Sequence, residues 1–294
     1  EVSLIPVYRP RPTPLHAARA GVGIAFCASF LVVGVLYSNP IVLAGALAGL
    51  VAAATGAGAA AELRRAARLA VPLALLLVVV NALVYREGDT VIFRGGDVLG
   101  RRLDVTLESV TAGGVAALRV LVVAAAFALY TAAIDPDAVL RLLRRVSYRS
   151  ALTGSLATRL IPVLQRDAER MLEAARCRPA PPSRGRVVLA TLARSLDRAS
   201  DVAAALEVRG YARARPAAVG RRPWSRHDAR LAAVALVVVA AAVAGKLAGA
   251  GGFDPYPSLS VAHGPAELGL ALLTVVAGAL PFAGSRARLG VAGA

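Results

Sequence analysis

The sequence predicts an all-α fold: a polytopic membrane helical bundle of about six spans, with long amphipathic helices on its cytoplasmic side. Three observations lead there. The 294 residues are 57% hydrophobic, with a mean hydropathy of +0.63. Uncharged runs long enough to cross a bilayer recur, and IVLAGALAGLVAAATGAGAAA, Ile41 to Ala61, carries no charge at all. Arginine, which supplies nearly all of the formal charge of +16, gathers on alternate connections between those runs. In a soluble chain such a charge would suggest nucleic acid. Here no nucleic-acid motif or aromatic-basic interleaving accompanies it, so cytoplasmic loops of a membrane protein are the better reading and no nucleic-acid partner is expected.

The chain opens with a proline-rich stretch, EVSLIPVYRPRPTPLH, which has no signal-peptide pattern and reads as a cytoplasmic arm over residues 1–19. A membrane domain follows over 20–134, with spans at Ala20–Tyr37, Ile41–Ala61, Leu69–Tyr85 and Val110–Ile134. Ser38-Asn39-Pro40 makes the tight turn between the first two. A polar stretch over 135–226 interrupts the membrane domain. It resumes over 227–294 with spans at Leu231–Ala250 and Val261–Phe282 and a tail.

Arginine placement orients these spans. Arg9, Arg11 and Arg19 precede the first, Arg64, Arg65 and Arg68 follow the second, the stretch from Arg141 to Arg230 follows the fourth, and Arg286 and Arg288 follow the last. The opposite loops lack an excess of positive charge. In Arg86 to Asp104, arginines are matched by acids, and Gly249 to Gly264 has neither Lys nor Arg. The pattern predicts a multi-pass membrane protein with both termini cytoplasmic. Within the balanced loop, TVIF followed by Gly95-Gly96 and DVLG reads as a short hairpin, a structural cap or a ligand site.

Chemistry-bearing clusters are few. Cys27 and Cys177 form no CxxC pair, and His16, His227 and His263 are scattered, so no metal site is expected. Asp135-Pro136-Asp137 could suggest half of a magnesium-diphosphate site, but no second acidic cluster accompanies it, and Pro with flanking acids is the better fit to a helix start. Arg119 is the one charge deep in a span, an intramembrane functional candidate unless it snorkels or pairs with a neighbouring helix. No Walker A motif is present; Gly245-Lys246-Leu247 lacks the upstream Gly and the following Ser or Thr.

The polar stretch holds two amphipathic helices, after a basic turn or two at Val139 to Tyr148. In the first, Leu156, Leu160, Val163, Leu164, Met171, Leu172 and Ala175 recur at helical spacing. Pro162 is expected to bend it and Pro179 to stop it. The second runs from about Val187 to Arg209, with an apolar stripe of Leu189, Leu192, Leu196, Ala199, Ala203 and Leu206. Arg194 with Asp197, and Arg198 with Asp201, are spaced to pair on its wet side, and Gly210 is placed to end it in the left-handed conformation. Each helix ends on an arginine-bearing tip. Dipole complementation or lipid binding would explain one such tip, but not a duplicated ending on consecutive helices.

Those endings carry a resemblance. Ala205-Leu206-Glu207-Val208-Arg209-Gly210-Tyr211 and Glu173-Ala174-Ala175-Arg176-Cys177-Arg178-Pro179 resemble the Ala-Arg-Gly signatures closing the coupling helices of one family. Leu160-Ile161-Pro162 and Arg194-Ser195-Leu196-Asp197 are similar to its pattern as well. That family is the transmembrane T component of energy-coupling-factor (ECF) transporters, the cobalt-permease-like subunit of an ABC importer class. The resemblance implies a non-catalytic subunit that relays ATP-driven motion to a substrate-binding membrane subunit, the S component, for uptake of a vitamin or transition-metal ion. Two ABC-type ATPase subunits would receive the tips at Arg176, Arg178, Glu207, Arg209 and Gly210, and would carry the ATP and magnesium. The chain itself would bind no cofactor. The competing reading is a self-sufficient secondary transporter or channel, which would carry intramembrane acids, broken spans or an inverted repeat. A membrane enzyme on lipid-linked substrates would carry clustered carboxylates.

Overall fold

A computed structural model describes residues 11–84, 91–98, 101–143, 148–177, 183–210, 224–254, 260–261 and 264–283. In chain order the elements are α1 (Pro14–Ala17), α2 (Ala20–Leu36), α3 (Pro40–Gly56) and α4 (Ala60–Val84). A hairpin of β1 (Val91–Val98) and β2 (Arg101–Thr106) leads into α5 (Leu107–Ala133). Then come α6 (Pro136–Leu143), α7 (Tyr148–Arg176), α8 (Arg184–Val208) and α9 (Arg226–Leu247). A two-residue pair, β3 (Phe253–Asp254) and β4 (Ser260–Val261), precedes α10 (Pro265–Ala279) and a 3₁₀ turn at Leu280–Phe282. The chain forms two compact units, Glu1–Pro136 with Trp224–Ala294, and Asp137–Pro223.

The first unit is the helical membrane bundle. Among the described residues, Ala60–Val84, Leu107–Ala133, Arg226–Leu247 and Pro265–Phe282 are long and apolar enough to cross a bilayer. The helices α2 and α3 are equally apolar but have 17 residues each, about 25 Å at the usual helical rise. Local chemistry sets their ends. Asn39 accepts a hydrogen bond from the Ile41 N–H at 3.0 Å, and Pro40 opens α3. Thr106 accepts from Ser109 N–H at 3.2 Å to start α5.

The second span ends at Gly56, not Ala61. Gly58 adopts φ +72°, a left-handed turn that closes α3, and Ala60 already belongs to α4. Consequently Arg64, Arg65 and Arg68 lie in the first turns of a helix rather than in a loop. Their neighbours Ala, Glu and Leu are strong helix formers. The Gly95-Gly96 pair also differs from expectation. It lies inside β1 instead of forming the turn, and the register there gains one residue, from Arg94↔Asp104 to Asp97↔Arg102. That is a bulge, a common role for glycine within a strand. Val261 belongs to β4, so the last helix starts four residues later than the sixth span expected from the sequence, with Pro265 in its first turn.

Close backbone approach holds the bundle together. A Cβ on Gly45 would lie 2.6 Å from the Ala271 backbone, and Cβ atoms on Gly49 and Gly278 would collide with Thr274 O and Gly49 O. Glycine lets α3 and α10 touch along a Gly45-x-x-x-Gly49 stripe, the means by which membrane helices gain packing without a hydrophobic driving force between them. Phe26, Phe30, Val33, Leu43, Leu50 and Val122 are completely buried within the bundle, with the two Phe rings edge to face at 5.4 Å. The outer face of α4 is the opposite: Leu69, Leu73, Leu76, Val80 and Leu83 are exposed, as lipid-facing side chains are.

Candidate functional site

The second unit contains α7 and α8. They meet through few side chains: Ala175 and Val187 are buried, Thr191 Oγ1 lies 3.4 Å from Met171 Sδ, and Arg198 donates to Asp167 at 3.0 Å. Arg198 therefore pairs across to α7 rather than with Asp201 along its own helix. The face that α8 turns to α7 carries Val187, Thr191 and Arg198. Its leucine stripe lies elsewhere on the circumference and is bare, with Leu189, Leu192 and Leu196 exposed at 68%, 55% and 70%. A leucine row that its own helix partner does not cover is suited to docking another apolar surface.

Both tips are solvent-facing where the structure describes them. Helix α7 runs through Pro162 without interruption and ends at Arg176, with Arg176 and Cys177 exposed. Arg178 and Pro179 lie outside the described residues. Helix α8 closes at Arg209, whose N–H donates to Ala205 O at 3.2 Å, and the Gly210 N–H donates to Glu207 O at 2.9 Å. Gly210 takes φ +73°, the left-handed stop that its position implied. Glu207, Val208 and Arg209 stand exposed around it, and nothing lies within 4 Å of a Cβ built at Gly210. The tip thus presents a permanent planar cation at the end of a rigid rod, a geometry that can pair bidentately with a carboxylate.

Arg119 belongs to the other unit and has a definite partner set. Its Nε donates to Gly34 O at 2.9 Å, and its Nη2 to Tyr37 O at 3.1 Å and Ser38 Oγ at 3.0 Å. Two of these acceptors are terminal carbonyls of α2, and the third is the hydroxyl of the residue that follows its cap. A helix end inside a bilayer has no water for its last carbonyls, and the guanidinium supplies both hydrogen bonds and the favourable charge. Arg119 thus pairs with the end of a neighbouring helix.

Three carboxylates are buried among the described residues, Glu108, Asp228 and Glu267, and sequence reasoning missed all three. Asp228 is 0% exposed and accepts from the Ser225 N–H at 2.9 Å and the Arg19 N–H at 2.7 Å, while Ser225 Oγ accepts from the Asp228 N–H at 3.1 Å. The signal was present as Ser225-x-x-Asp228 before an apolar run, a capping box. Glu267, 5% exposed, accepts from the Gly251 N–H at 2.8 Å and folds the connection before α10 back onto Tyr37. No sequence motif marks it.

A scan against protein-family models matches residues 12–218 to CbiQ, described as cobalt transport protein. A search of the curated proteins found no match. The family match spans more than half of the sequence and includes α2 to α8, so both arginine tips and the bare leucine stripe lie within it. The chain belongs to the cobalt transport protein family, the T components of ECF transporters, and is a multi-pass membrane subunit of a transporter and not a catalytic enzyme.

Proposed function

We propose that this subunit couples two cytoplasmic ABC-type ATPases to a solute-binding membrane S component, driving uptake of a transition-metal ion such as cobalt or of a vitamin. The observation that carries the reading is the split surface of α8: a bare leucine stripe along its side and an exposed Arg209 at a glycine-stopped end. One surface suits an apolar membrane partner, the other a groove lined with carboxylate.

In this reading the ATPases bind ATP and magnesium, and this chain contributes shape, charge and stiffness. Arg209, with Glu207 and Gly210 beside it, seats in one ATPase; Arg176 and Arg178 at the end of the other helix seat in the second. Pro162 sets the line of α7, and Pro179 follows its tip in the sequence. When the ATPases close on ATP the two tips move relative to each other, and the leucine stripe carries that displacement to the S component. The α7–α8 contact, small and partly polar, permits such sliding at modest cost. Arginine clusters on one side of the bundle support an orientation with both termini in the bacterial cytoplasm.

The test is a mild detergent extraction from the native host, with bound proteins identified by mass. We expect an ATPase pair on the wild type and its loss from Arg178→Glu/Arg209→Glu, with the bundle still folded. Loss of a desolvated charge partner of this kind costs about 2–5 kcal/mol, a thirtyfold or greater weakening. Retention of the ATPases on the variant would remove the tips as anchors. A wild type that extracts alone and moves ions by itself in liposomes would replace the whole reading with a self-sufficient transporter.

A further inference from the structure

We infer that residues 11–19 and the start of α9 form an anchor that fixes the two chain connections leaving the membrane unit, with Arg19 and Asp228 as positioning residues for coupling. The inference rests on the coupling function proposed above. The polypeptide leaves this unit after the end of α5, at Pro136, and returns at Trp224. Any displacement passed along the chain enters the bundle at those two points.

Both points are tied to the same short arm. On the outgoing side Ile134 packs over Gly23, where a Cβ would sit 3.2 Å from its Cδ1 and Cγ1. Leu15 is 2% exposed beside Gly23, and the His16 ring meets the backbone of Ala132. On the returning side the Arg19 N–H donates to Asp228 Oδ1 at 2.7 Å, with Arg19 Nε 3.8 Å from Oδ2. The guanidinium lies over the Trp224 ring, 5.3 Å from its centroid. The arm is itself pinned at its other end, where Arg11 donates to Gly58 O and pairs with Glu62 Oε1 at 2.8 Å. One strand of residues thus ties the start of α2, the α3–α4 joint, the end of α5 and the start of α9.

Asp228 has a double assignment that a simple cap does not need. It closes the first turn of α9 through Ser225 and, with the same carboxylate, holds the first residue before α2. A pull on Trp224 would otherwise unwind that first turn, because the first N–H groups of a helix have no partner inside it. Tied to Asp228, the turn resists, and the displacement reaches α2 and α9 together. Loosening the tie lets the pull be absorbed locally while the tips remain seated.

The measurement is hydrogen exchange of the amides at 226–233 in the complete complex, with and without ATP, for the wild type, Arg19→Ala, Asp228→Asn and Trp224→Ala. All three variants are expected to retain the ATPases and their hydrolysis. In the variants ATP should raise exchange in that segment by roughly fivefold or more, the lower end of ordinary coupling between linked sites. In the wild type it should leave that segment unchanged. Should Asp228→Asn not assemble, Trp224→Ala alone decides, because Trp224 is 63% exposed and its ring meets the Arg19 guanidinium. Exchange raised equally without ATP would reduce the arm to a structural fastener, and exchange unmoved by ATP in every variant would overturn the anchor. A wild type that recruits no ATPase defeats the coupling function itself, and the anchor with it.

Discussion

Two helix pairs in this molecule are built in opposite ways. Helices α3 and α10 touch backbone to backbone, with Gly45, Gly49 and Gly278 leaving no room for a side chain between them. Helices α7 and α8 meet through a sulfur, a hydroxyl, an ion pair and two small apolar residues, and leave three leucines of α8 bare. The first pair is complete by itself, and any substitution there must show up as lost stability. The second is incomplete, so substitutions on its open face should show up in assembly and leave the fold intact. In the proposed function, that contrast separates the part of the chain that holds position from the part that moves.

The largest expected effect breaks the first pair. Gly49→Val would drive a branched side chain into Thr274 O and the Phe30 ring. The cost should be about 3 kcal/mol or more, the upper range for overpacking, and little folded protein should be recovered after extraction. Wild-type recovery and thermal stability would mean that α3 and α10 can part freely, and the contrast would fall. Next comes its mirror image, Leu192→Glu with Leu196→Glu. Surface changes of this kind move stability by no more than about 0.5 kcal/mol. Co-extraction of the S component should nevertheless be lost while the ATPases stay bound, which a mass analysis of the complex reads directly. Loss of the ATPases instead would assign the stripe to the wrong partner.

Much of this contrast was legible in the sequence, for physical reasons that differ between its parts. The bundle announced itself through length and hydropathy, because a bilayer demands long apolar runs whatever their packing. The α8 stop was legible because only glycine enters a left-handed turn cheaply, and Gly210 does so at φ +73°. The end of α3 was not, since Gly56 and Gly58 both sit in a run of alanines and only the tertiary contact selects which one breaks it. Pairing was the least legible. Arg198 had an acid within reach by spacing, Asp201 on its own helix, but the fold pairs it with Asp167 on the other. For Arg119 the sequence showed a buried cation but not its partners, which are the backbone carbonyls Gly34 O and Tyr37 O with the Ser38 hydroxyl. Carbonyls leave no trace in residue identity.

Smaller substitutions sharpen the contrast within the second pair. Gly210→Ala places a methyl in open space, so its whole cost is the left-handed backbone, about 1–2 kcal/mol. The tip should re-aim rather than unfold, and ATPase retention in the detergent extraction should fall partially where Arg209→Glu abolishes it. Retention equal to the wild type would show that Arg209 finds its socket without a fixed helix end.

The smallest expected effect is Arg198→Ala. Its pair with Asp167 is short, but Arg198 is 46% exposed, and water and salt screen the attraction, so its contribution to stability should be under about 1 kcal/mol. Thermal unfolding of the purified chain should barely register it. The informative readout is the coupling ratio, the solute taken up for each ATP hydrolysed by the complete complex. A weak, exposed bond between two rods would suit the sliding that the proposed coupling requires, because it can break and re-form. If the ratio is unchanged, α7 and α8 are aligned by their ATPase sockets alone. A ratio that falls while stability holds would make this pair the register mark between the rods. A loss of several kcal/mol would contradict the division drawn here, for it would make α7 and α8 as firmly joined as α3 and α10.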